Sequence, residues 1–346
     1  MTPQDVPTDA QDVARDSAAL APWLEGAQAL ALLQGALAAG IVQAAREPRT
    51  PVDLAADARL DVRRVEAICR ALEAHGIFVR EATTYRLADA WRALASTAAL
   101  PLLRPRIEAM PAVTRALVAA VASDASYWTT ATADRLALAQ WVTLDPTSPL
   151  TPRLLVDALV AAPEATARLE AGGRWVEFGC GVCGGLLSML QAYPRATALG
   201  LNLDAEVLAI AASRAVRLGV QDRLELRQAD AGTLDEEASA DVLFWSQFFF
   251  PAASRAAVLR AAFRALKPGG LLLATLLSEA PASPAERQAP TGREHAIDHV
   301  LYGSWDVPIR SADALRAEVS AAGFTPLRVA HDGFRYLAAQ RPVSRP

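Results

Sequence analysis

Cysteine is scarce in this sequence, with only three residues among 346. The first twenty residues also lack the apolar core of a secretory signal or the basic character of a transit peptide, and instead carry four aspartates. A disulfide framework is therefore not expected, and a reducing, cytoplasmic location fits the composition. We interpret residues 1–20 as a disordered lead-in.

Long hydrophobic runs are absent as well. The most apolar stretch, Leu24 to Ala45, is richer in alanine than in leucine and is interrupted by one glutamate and three glutamines. A membrane span needs about 20 residues with few or no such interruptions. The sequence therefore predicts a buried helix over residues 26–45 and no membrane partner.

The length and composition indicate a helix-rich globular protein with two domains. A chain of 346 residues that is 52% hydrophobic and 21% charged exceeds the usual size of a single core. After the lead-in we predict a domain over residues 21–100 and a helical linker and pocket wall over residues 101–170. A second domain is predicted over residues 171–346.

The pattern of the first domain is that of a winged helix. Asp61 can cap a helix whose apolar positions fall on one face, and Gly76 stands where that helix should end. A short β-hairpin over residues 77–87 follows, and two further helices precede it.

A winged helix raises the hypothesis of a DNA-binding regulator, which charge can test because phosphate contacts demand a basic face. Residues 1–100 hold ten arginines against thirteen acidic residues, and the would-be recognition helix balances its arginines with acids. We therefore predict no nucleic-acid partner. The apolar first helix favours a domain that pairs two subunits and helps to wall a substrate pocket.

From Arg174 onward, short apolar runs alternate with helical stretches, which is typical of a parallel sheet with crossover helices. The predicted strands are 174–178, 196–203, 224–228, 240–246 and 270–277, with a closing hairpin at 325–330 and 334–339 after a helix at 311–322. Ligands of such sheets bind at the carboxyl ends of the strands.

The first of these strands leads into a glycine-rich loop. Gly179 and Gly181 allow the backbone to approach a ligand closely, and Glu177 stands two residues before the first glycine. Such a loop alone is weak support, because dinucleotide enzymes use similar ones. However, Asn202 lies at the end of the second strand and Asp230 at the end of the third. Acidic, polar and acidic residues on three successive strand ends form a coherent clamp for a nucleoside.

The run from Val176 through the turn Leu266-Lys267-Pro268-Gly269-Gly270 resembles class I S-adenosylmethionine-dependent methyltransferases. Together with the winged helix, the likeness spans residues 20–342 and extends to small-molecule O-methyltransferases of plant and microbial secondary metabolism. It implies an α/β, Rossmann-like domain of seven strands, S-adenosylmethionine as the cofactor, and a homodimer formed through the N-terminal domain. The cofactor-binding residues that we predict are Glu177, Gly179, Gly181, Asn202, Leu203, Asp230, Ala231 and Ser246.

Three positions depart from the pattern of that family. Cys183 stands at the third glycine of the loop, so the turn could be re-registered onto the two glycines that follow. Asn202 replaces the usual acid at the ribose, so weaker cofactor binding is expected. Phe248-Phe249-Phe250-Pro251 occupies the place of the general-base histidine and its following aspartate.

Methyl transfer mainly requires a positioned nucleophile, and a base is needed only for acceptors such as hydroxyl groups. The missing histidine favours C- or N-methylation, or a base supplied from elsewhere. His295, Asp298 and His299 would share one helix face, which could be a solvated surface, a general base or a set of metal ligands. We predict His295 and His299 as catalytic residues, without a metal site.

The aromatic residues indicate a small, largely apolar acceptor, although core packing explains large aromatic side chains equally well. The predicted substrate-binding residues are Trp141, Gln247, Phe250, Tyr302 and Trp305. Cys180 and Cys183 have the spacing of a redox or zinc motif, but no second half exists, so small loop-filling side chains are favoured.

The leading hypothesis is thus a methyltransferase acting on a natural-product intermediate. The alternative is a cyclase or isomerase that keeps the methyltransferase fold without transferring a methyl group, motivated by Asn202 and the lost histidine.

Overall fold

The computed structural model describes residues 10–122, 126–277, 279–331 and 334–343. The chain divides into two compact units, and the boundary in sequence lies between Glu108 and Ala109. Within the described ranges, no helix combines the length and the apolar character that crossing a membrane requires.

The first unit is helical apart from one antiparallel hairpin. Its elements are α1 (Ala10–Ala38), α2 (Ile41–Ala44), α3 (Pro51–Ala58), α4 (Val62–Ala74), β1 (Phe78–Glu81), β2 (Thr84–Leu87) and α5 (Leu100–Glu108). As the sequence predicts, the side chain of Asp61 caps α4 by accepting hydrogen bonds from the N–H groups of Arg63 and Arg64. The buried core includes Leu37, Ile41, Leu54, Val65 and Leu72.

Two sequence predictions for this unit are wrong. Residues 10–20 were expected to be disordered but form the first turns of α1, an alanine-rich stretch with an ion pair between Asp12 and Arg15. The helix expected over residues 26–45 ends at Ala38, because Gly40 adopts a left-handed φ of 75° and α2 begins after it. Residues 1–9 lie outside the described residues.

The second unit contains a seven-stranded sheet between helices. Its helices are α6 (Met110–Ala120), α7 (Thr132–Trp141), α8 (Thr151–Leu159), α9 (Pro163–Glu170), α10 (Gly184–Ala192), α11 (Ala205–Leu218), α12 (Ala252–Ala265), α13 (Pro284–Gln288), α14 (Pro290–Ser304) and α15 (Ala312–Ala321). Its strands are β3 (Arg174–Phe178), β4 (Thr197–Asn202), β5 (Leu224–Gln228), β6 (Ala240–Trp245), β7 (Leu266–Thr275), β8 (Thr325–Ala330) and β9 (Tyr336–Gln340).

The strand order is β5-β4-β3-β6-β7-β9-β8. The strands from β5 to β7 pair in parallel, and β9 pairs antiparallel with both β7 and β8. This is the Rossmann-like, seven-stranded α/β architecture that the sequence predicts. The carboxyl ends of β3, β4, β5 and β6 therefore meet at one edge of the sheet, where ligands of such folds bind.

One detail of the sheet corrects the sequence analysis. The segment Leu266 to Gly270 was expected to be a turn before the strand, but it belongs to β7. The register against β6 jumps there from Ala240↔Leu266 to Val242↔Leu271, and Gly269 has a left-handed φ of 78°. Gly269 is thus part of a β-bulge within β7, and the segment does not form a separate turn before the strand.

The two faces of the sheet carry separate cores. Trp175 on β3 packs with Leu186 and Met189 of α10 on one face. Val176 and Phe178 pack with Val258 and other residues of α12 on the opposite face. The alternation along β3 therefore places Glu177 on the same face as Trp175, beside the helix that follows the glycine-rich loop.

Candidate active site

The loop after β3 is shaped by left-handed backbone. Gly179 has a φ of 72° and Gly181 a φ of 52°, conformations that glycine adopts without steric cost. The N–H groups of Gly179 and Cys180 both donate to the carbonyl oxygen of Leu201, at 3.1 and 3.0 Å. The loop is therefore fastened to the end of the neighbouring strand β4.

Cys183 occupies the third glycine position without shifting the turn. It is the N-cap residue of α10 and has a φ of 58° and a ψ of 34°, while Gly184 and Gly185 lie in the first turn of the helix. The re-registration considered from the sequence therefore does not occur. A left-handed conformation in a residue other than glycine costs about 1 kcal/mol.

Both loop cysteines are buried and pack in the hydrophobic core beside α10. A hydrogen bond with Cys180 and burial together raise the pKa of the Cys183 thiol well above its usual value. Thiols of this kind are poor nucleophiles. The packing supports the loop-filling interpretation, and no cluster of three or more potential metal ligands occurs in the described part of the chain.

The segment over residues 142–150, here called the strap, lies against the start of α10. A Cβ atom on Gly184 would overlap the carbonyl oxygen of Leu144 and the hydroxyl oxygen of Thr143. Gln191 donates from Nε2 to the carbonyl oxygen of Pro146 at 3.0 Å. The strap therefore fixes the position of the helix whose N-terminus faces the loop.

Glu177 is a buried carboxyl group beside the loop. It is 5% exposed, and its Oε2 accepts a hydrogen bond from Nε1 of Trp175 at 3.3 Å. Burial raises the pKa of this group to about 8, against the opposing effect of the hydrogen bond from Trp175. A carboxyl group so placed gains from a cationic ligand, because a nearby positive charge favours its ionised form.

The ends of β4 and β5 carry the other predicted polar groups. Asn202 is half-buried, and its Oδ1 accepts a hydrogen bond from the N–H of Asp204 at 2.8 Å, so its amide NH₂ is the group that can turn toward a ligand. Asp230 is exposed, and its Oδ1 accepts from the N–H of Gly232. Leu203 is 49% exposed, and Ala231, beside Asp230, is buried.

The strand β6 ends at Trp245, and Ser246 begins the segment that the sequence analysis singled out. Ser246 donates its N–H to the carbonyl oxygen of Phe178. The ring of Phe250 reaches 2.8 Å from the place where a Cβ atom on Gly179 would stand. The absence of a side chain at Gly179 is therefore what lets the ring lie directly on the loop.

The two residues before Phe250 belong to an aromatic cluster, which consists of Tyr127, Phe248, Phe249, Tyr302 and Trp305. The ring centroids of Phe249 lie 5.5 Å from Tyr127 and 5.9 Å from Trp305, and those of Phe248 and Tyr302 lie 5.6 Å apart. Trp141 packs against the same buried residues. The structure thus brings together three of the five residues predicted to contact the acceptor, Trp141, Tyr302 and Trp305. Phe250 packs instead with the core on the α12 face of the sheet, where its ring centroid lies 5.9 Å from that of Trp245.

Gln247, the fifth of these residues, is 1% exposed and bonds to protein on both sides of its amide. Its Nε2 donates to the carbonyl oxygen of Thr275 at 2.5 Å, and its Oε1 accepts from Nη2 of Arg255 at 2.6 Å. Arg255 forms two further hydrogen bonds to Glu318 and lies 4.6 Å from the ring centroid of Trp245. Arg255 was not predicted as a residue of the site, because its ion-pair partner Glu318 lies 63 residues away along the chain.

The predicted catalytic histidines lie on α14. His295 is buried and His299 exposed, with ring centroids 4.5 Å apart. Burial, with the neighbouring His295, lowers the pKa of His299 below its usual 6.5. Burial, with Glu294, raises the pKa of Asp298 to about 6. Tyr302 follows one turn later, and the charge of Asp298 adds to the effect of burial in raising its pKa.

A comparison with protein families is informative at this point. Residues 176–270, from β3 to the bulge of β7, match the family described as a methyltransferase domain. The ubiquinone biosynthesis O-methyltransferase of Xanthomonas axonopodis pv. citri is 28% identical over 173 residues, which are 47% of this chain and 72% of that protein.

The chain contains a methyltransferase domain with the fold of class I S-adenosylmethionine-dependent enzymes.

Solved structures agree with this methyltransferase fold. An O-methyltransferase family protein from Burkholderia thailandensis superposes with a TM-score of 0.71 at 16% identity, over 98% of this chain and all of that one. Human N-acetylserotonin methyltransferase, determined in complex with S-adenosylmethionine, gives a TM-score of 0.69 at 14% identity over the same shares. The mostly helical N-terminal region and the seven-stranded sheet are thus both common to these proteins.

The residues at the strand ends fit the cofactor of this methyltransferase. No atom lies within 4 Å of where a Cβ atom on Gly181 would stand, so the loop is open on that side. Glu177 offers a carboxyl group suited to an ammonium, and Asn202 and Asp230 offer polar groups on the next two strand ends. The donor and acceptor set therefore suits an amino acid joined to a nucleoside.

The strap predicts unequal effects for two neighbouring glycines. Gly184→Ala should lower the midpoint of thermal unfolding and weaken S-adenosylmethionine binding, because the new methyl group meets the backbone of Leu144. Gly185→Ala, with nothing within 4 Å, should instead stabilise the protein by up to about 1 kcal/mol through helix propensity. Equal unfolding midpoints for the two variants would contradict this account of the strap.

The raised pKa of Glu177 predicts proton release on cofactor binding. At about pH 6.5 the free carboxyl group is mostly protonated, and the cofactor's ammonium should lower its pKa and expel close to one proton. Calorimetric titrations with S-adenosylmethionine in two buffers of different ionisation enthalpy measure this release.

The matched variants are Glu177→Gln and Asp230→Asn. The first should abolish proton release and weaken binding about tenfold, whereas the second should weaken binding and retain the release. Identical binding heats in both buffers for the unaltered protein would show that Glu177 does not ionise on binding.

Proposed function

We propose that this methyltransferase transfers the methyl group of S-adenosylmethionine to a hydroxyl group of a small, largely apolar natural-product intermediate. The observation that carries the proposal is the contact of Phe250 with Gly179, at 2.8 Å from the position of a Cβ atom there. This contact places the segment that carries Phe248 and Phe249 of the aromatic cluster beside the glycine-rich loop after β3, here called the cofactor loop. An apolar acceptor bound against the cluster would therefore lie next to the reacting methyl group.

In this proposal the strand ends hold the cofactor, which supplies an electrophilic methyl group when bound. Glu177 binds the ammonium group, Asn202 the ribose hydroxyls and Asp230 the adenine amino group. The exposed side chain of Leu203 offers an apolar surface to the adenine. The remaining contacts come from Gly179, Gly181, Ala231 and Ser246.

The acceptor site in this proposal is built from Trp141, Phe250, Tyr302 and Trp305. Gln247 belongs to the site indirectly. Its amide bonds to Thr275 and Arg255, and so it holds in place the segment that carries Phe248, Phe249 and Phe250. Aromatic surface with few charges favours an apolar, planar acceptor.

His295 and His299 serve as the base in this proposal. They share the face of α14 that also carries Tyr302, and Tyr302 belongs to the aromatic cluster. A lowered pKa keeps His299 neutral, and therefore able to accept a proton, at physiological pH. A hydroxyl acceptor benefits from such a base, which is why we favour O-methylation over C- or N-methylation.

Incubation with labelled S-adenosylmethionine and a panel of small phenols, amines and carbon acids tests this proposal. We expect methyl transfer to a phenol, with a rate that declines only below pH 6.5 because the pKa of His299 is lowered. His299→Ala should reduce kcat on the phenol about a hundredfold.

The matched control is His331→Ala, on an exposed histidine before the last strand. It should leave kcat unchanged. Cofactor binding without formation of S-adenosylhomocysteine on any acceptor would contradict the proposal and favour a cyclase or isomerase with this fold.

We also propose that the N-terminal unit is a winged-helix domain that forms a homodimer in the cytoplasm, with no nucleic-acid partner. An exposed apolar stripe on α1 supports pairing, with Val13 55%, Leu20 57%, Trp23 80% and Leu24 61% exposed. The arginines of α4 support the exclusion of nucleic acid, because Arg70 lies 3.8 Å from Glu66 and Arg63 lies 3.7 Å from Asp61.

Sedimentation of the purified protein tests the dimer. The unaltered chain should sediment as a dimer at micromolar concentration, and Trp23→Glu should raise the dimer dissociation constant at least about tenfold by placing a charge in the stripe. Val52→Glu, at an apolar residue of α3 that is 60% exposed, is the matched control and should have no effect. A monomeric unaltered protein would refute this arrangement.

A further inference from the structure

Helix α7 touches both the cofactor loop and the helix that follows β4. Its residue Ala139 packs in a small buried cluster with Val182 of the loop and Val207 of α11. The same helix ends at Trp141, which packs against the residues of the aromatic cluster. α7 is therefore in contact with both parts of the site described above.

Arg135 of α7 is hydrogen-bonded to the turn over residues 202–204 at the end of β4, here called the ribose-binding turn. Its Nε donates to Oδ2 of Asp204 at 3.0 Å, and the two side chains are 17% and 5% exposed. Oδ1 of Asp204 caps α11 by accepting from the N–H groups of Glu206 and Val207, and the N–H of Asp204 orients the amide of Asn202. The charge of Arg135 is thus two hydrogen bonds away from the side chain assigned to the ribose.

The other side of Arg135 faces the aromatic residues. Its guanidinium carbon lies 5.9 Å from the ring centroid of Trp128, and its Nη1 donates to the carbonyl oxygen of Thr130. The rings of Trp128 and Tyr127 lie 5.2 Å apart, and Tyr127 belongs to the aromatic cluster. Burial and the charge of Asp204 raise the pKa of Tyr127 to about 12. Asp204 therefore acts electrostatically on the cluster as well.

Stability alone does not account for this ion pair. The cost of desolvating two charges offsets much of their attraction, and replacing a buried pair with apolar side chains is often neutral or stabilising. A buried charge pair that joins two binding surfaces is better explained by the geometry that it imposes on them. The guanidinium group of Arg135 donates to Asp204 on one side and lies beside the ring of Trp128 on the other.

We propose that Arg135 is a positioning residue that holds the ribose-binding turn and the aromatic residues Tyr127 and Trp128 in one fixed arrangement. The part of this inference that concerns the aromatic residues beside the acceptor rests on the proposed function. Loss of the Arg135–Asp204 pair should leave the fold intact but loosen the orientation of Asn202, so that cofactor affinity falls. It should also make the emission of Trp128 independent of whether the cofactor site is occupied.

The test is a double-mutant cycle with Arg135→Met and Asp204→Asn, since Asn retains a capping oxygen for α11. Calorimetric titration with S-adenosylhomocysteine should show binding about tenfold weaker in each single variant. The double variant should be no weaker than the singles, because the two residues act as one pair. Its midpoint of thermal unfolding should match that of the unaltered protein, which separates a loss of positioning from a loss of fold.

The matched control is Arg115→Met. Arg115 of α6 also forms an ion pair with α7, through Nε and Nη2 to Asp134, but this pair does not reach the ribose-binding turn. The variant should bind S-adenosylhomocysteine as the unaltered protein does. A loss equal to that of Arg135→Met would overturn the inference, because any ion pair on α7 would then suffice.

Tryptophan emission supplies a second readout. Trp128 is 49% exposed and adjoins Arg135, so cofactor binding should change an emission component that Trp128→Phe removes. In the Arg135→Met variant, saturating S-adenosylhomocysteine should no longer produce this change in emission. Unchanged affinity and emission in the double variant would refute the positioning role. Failure of the unaltered protein to methylate any acceptor, with these binding results intact, would instead refute only the proposed acceptor chemistry.

Discussion

A single carbonyl oxygen organises the active site. The N–H groups of Gly179 and Cys180 both bond to Leu201, so the loop after β3 cannot move independently of the end of β4. Left-handed backbone at Gly179 is what brings two successive N–H groups to one acceptor. The groups assigned to the ammonium and to the ribose lie on either side of this junction. Their separation is therefore set by backbone geometry rather than by flexible side chains.

Buried arginines extend this rigidity outward from the junction. Arg255 supports the loop of the aromatic cluster through Gln247, and Arg214 reaches the carbonyl oxygen of Val182 in the cofactor loop and Asp145 in the strap. Each of them replaces water with several fixed hydrogen bonds. Such networks contribute more to a unique geometry than to net stability, because the free-energy cost of desolvating the charges offsets much of their attraction.

The sequence was most informative where backbone chemistry or hydrophobic period decides the structure. The cap at Asp61, the positions of the strands β3 to β7 along the chain and the glycine-rich loop follow from local patterns, and the structure confirms them. The helix over residues 10–20 was missed because scattered aspartates resemble a disordered segment, although alanine-rich helices tolerate them at the surface. The bulge in β7 was read as a turn because proline and glycine mark both features.

Long-range pairs were beyond the reach of the sequence. Arg135 and Asp204 are 69 residues apart, and Arg255 and Glu318 are 63 residues apart, so no local period joins them. Each arginine looks like an ordinary polar position on an amphipathic helix. Gln247 was predicted as a substrate-binding residue, but its burial and its bond to Arg255 depend on where α12 packs. These facts require the tertiary structure because burial changes the meaning of a charge.

The contact between Phe250 and Gly179 links the evolution of the two halves of the site. Because the ring occupies the space that any side chain at position 179 would need, a change of residue at that position in the cofactor loop would also displace Phe250 of the proposed acceptor site. Variation in substrate range is therefore easier at Phe248 and Phe249, which belong to the aromatic cluster and are not among the side chains nearest to Gly179. Attempts to retarget the enzyme to a new acceptor should begin at those two positions and leave Phe250 in place.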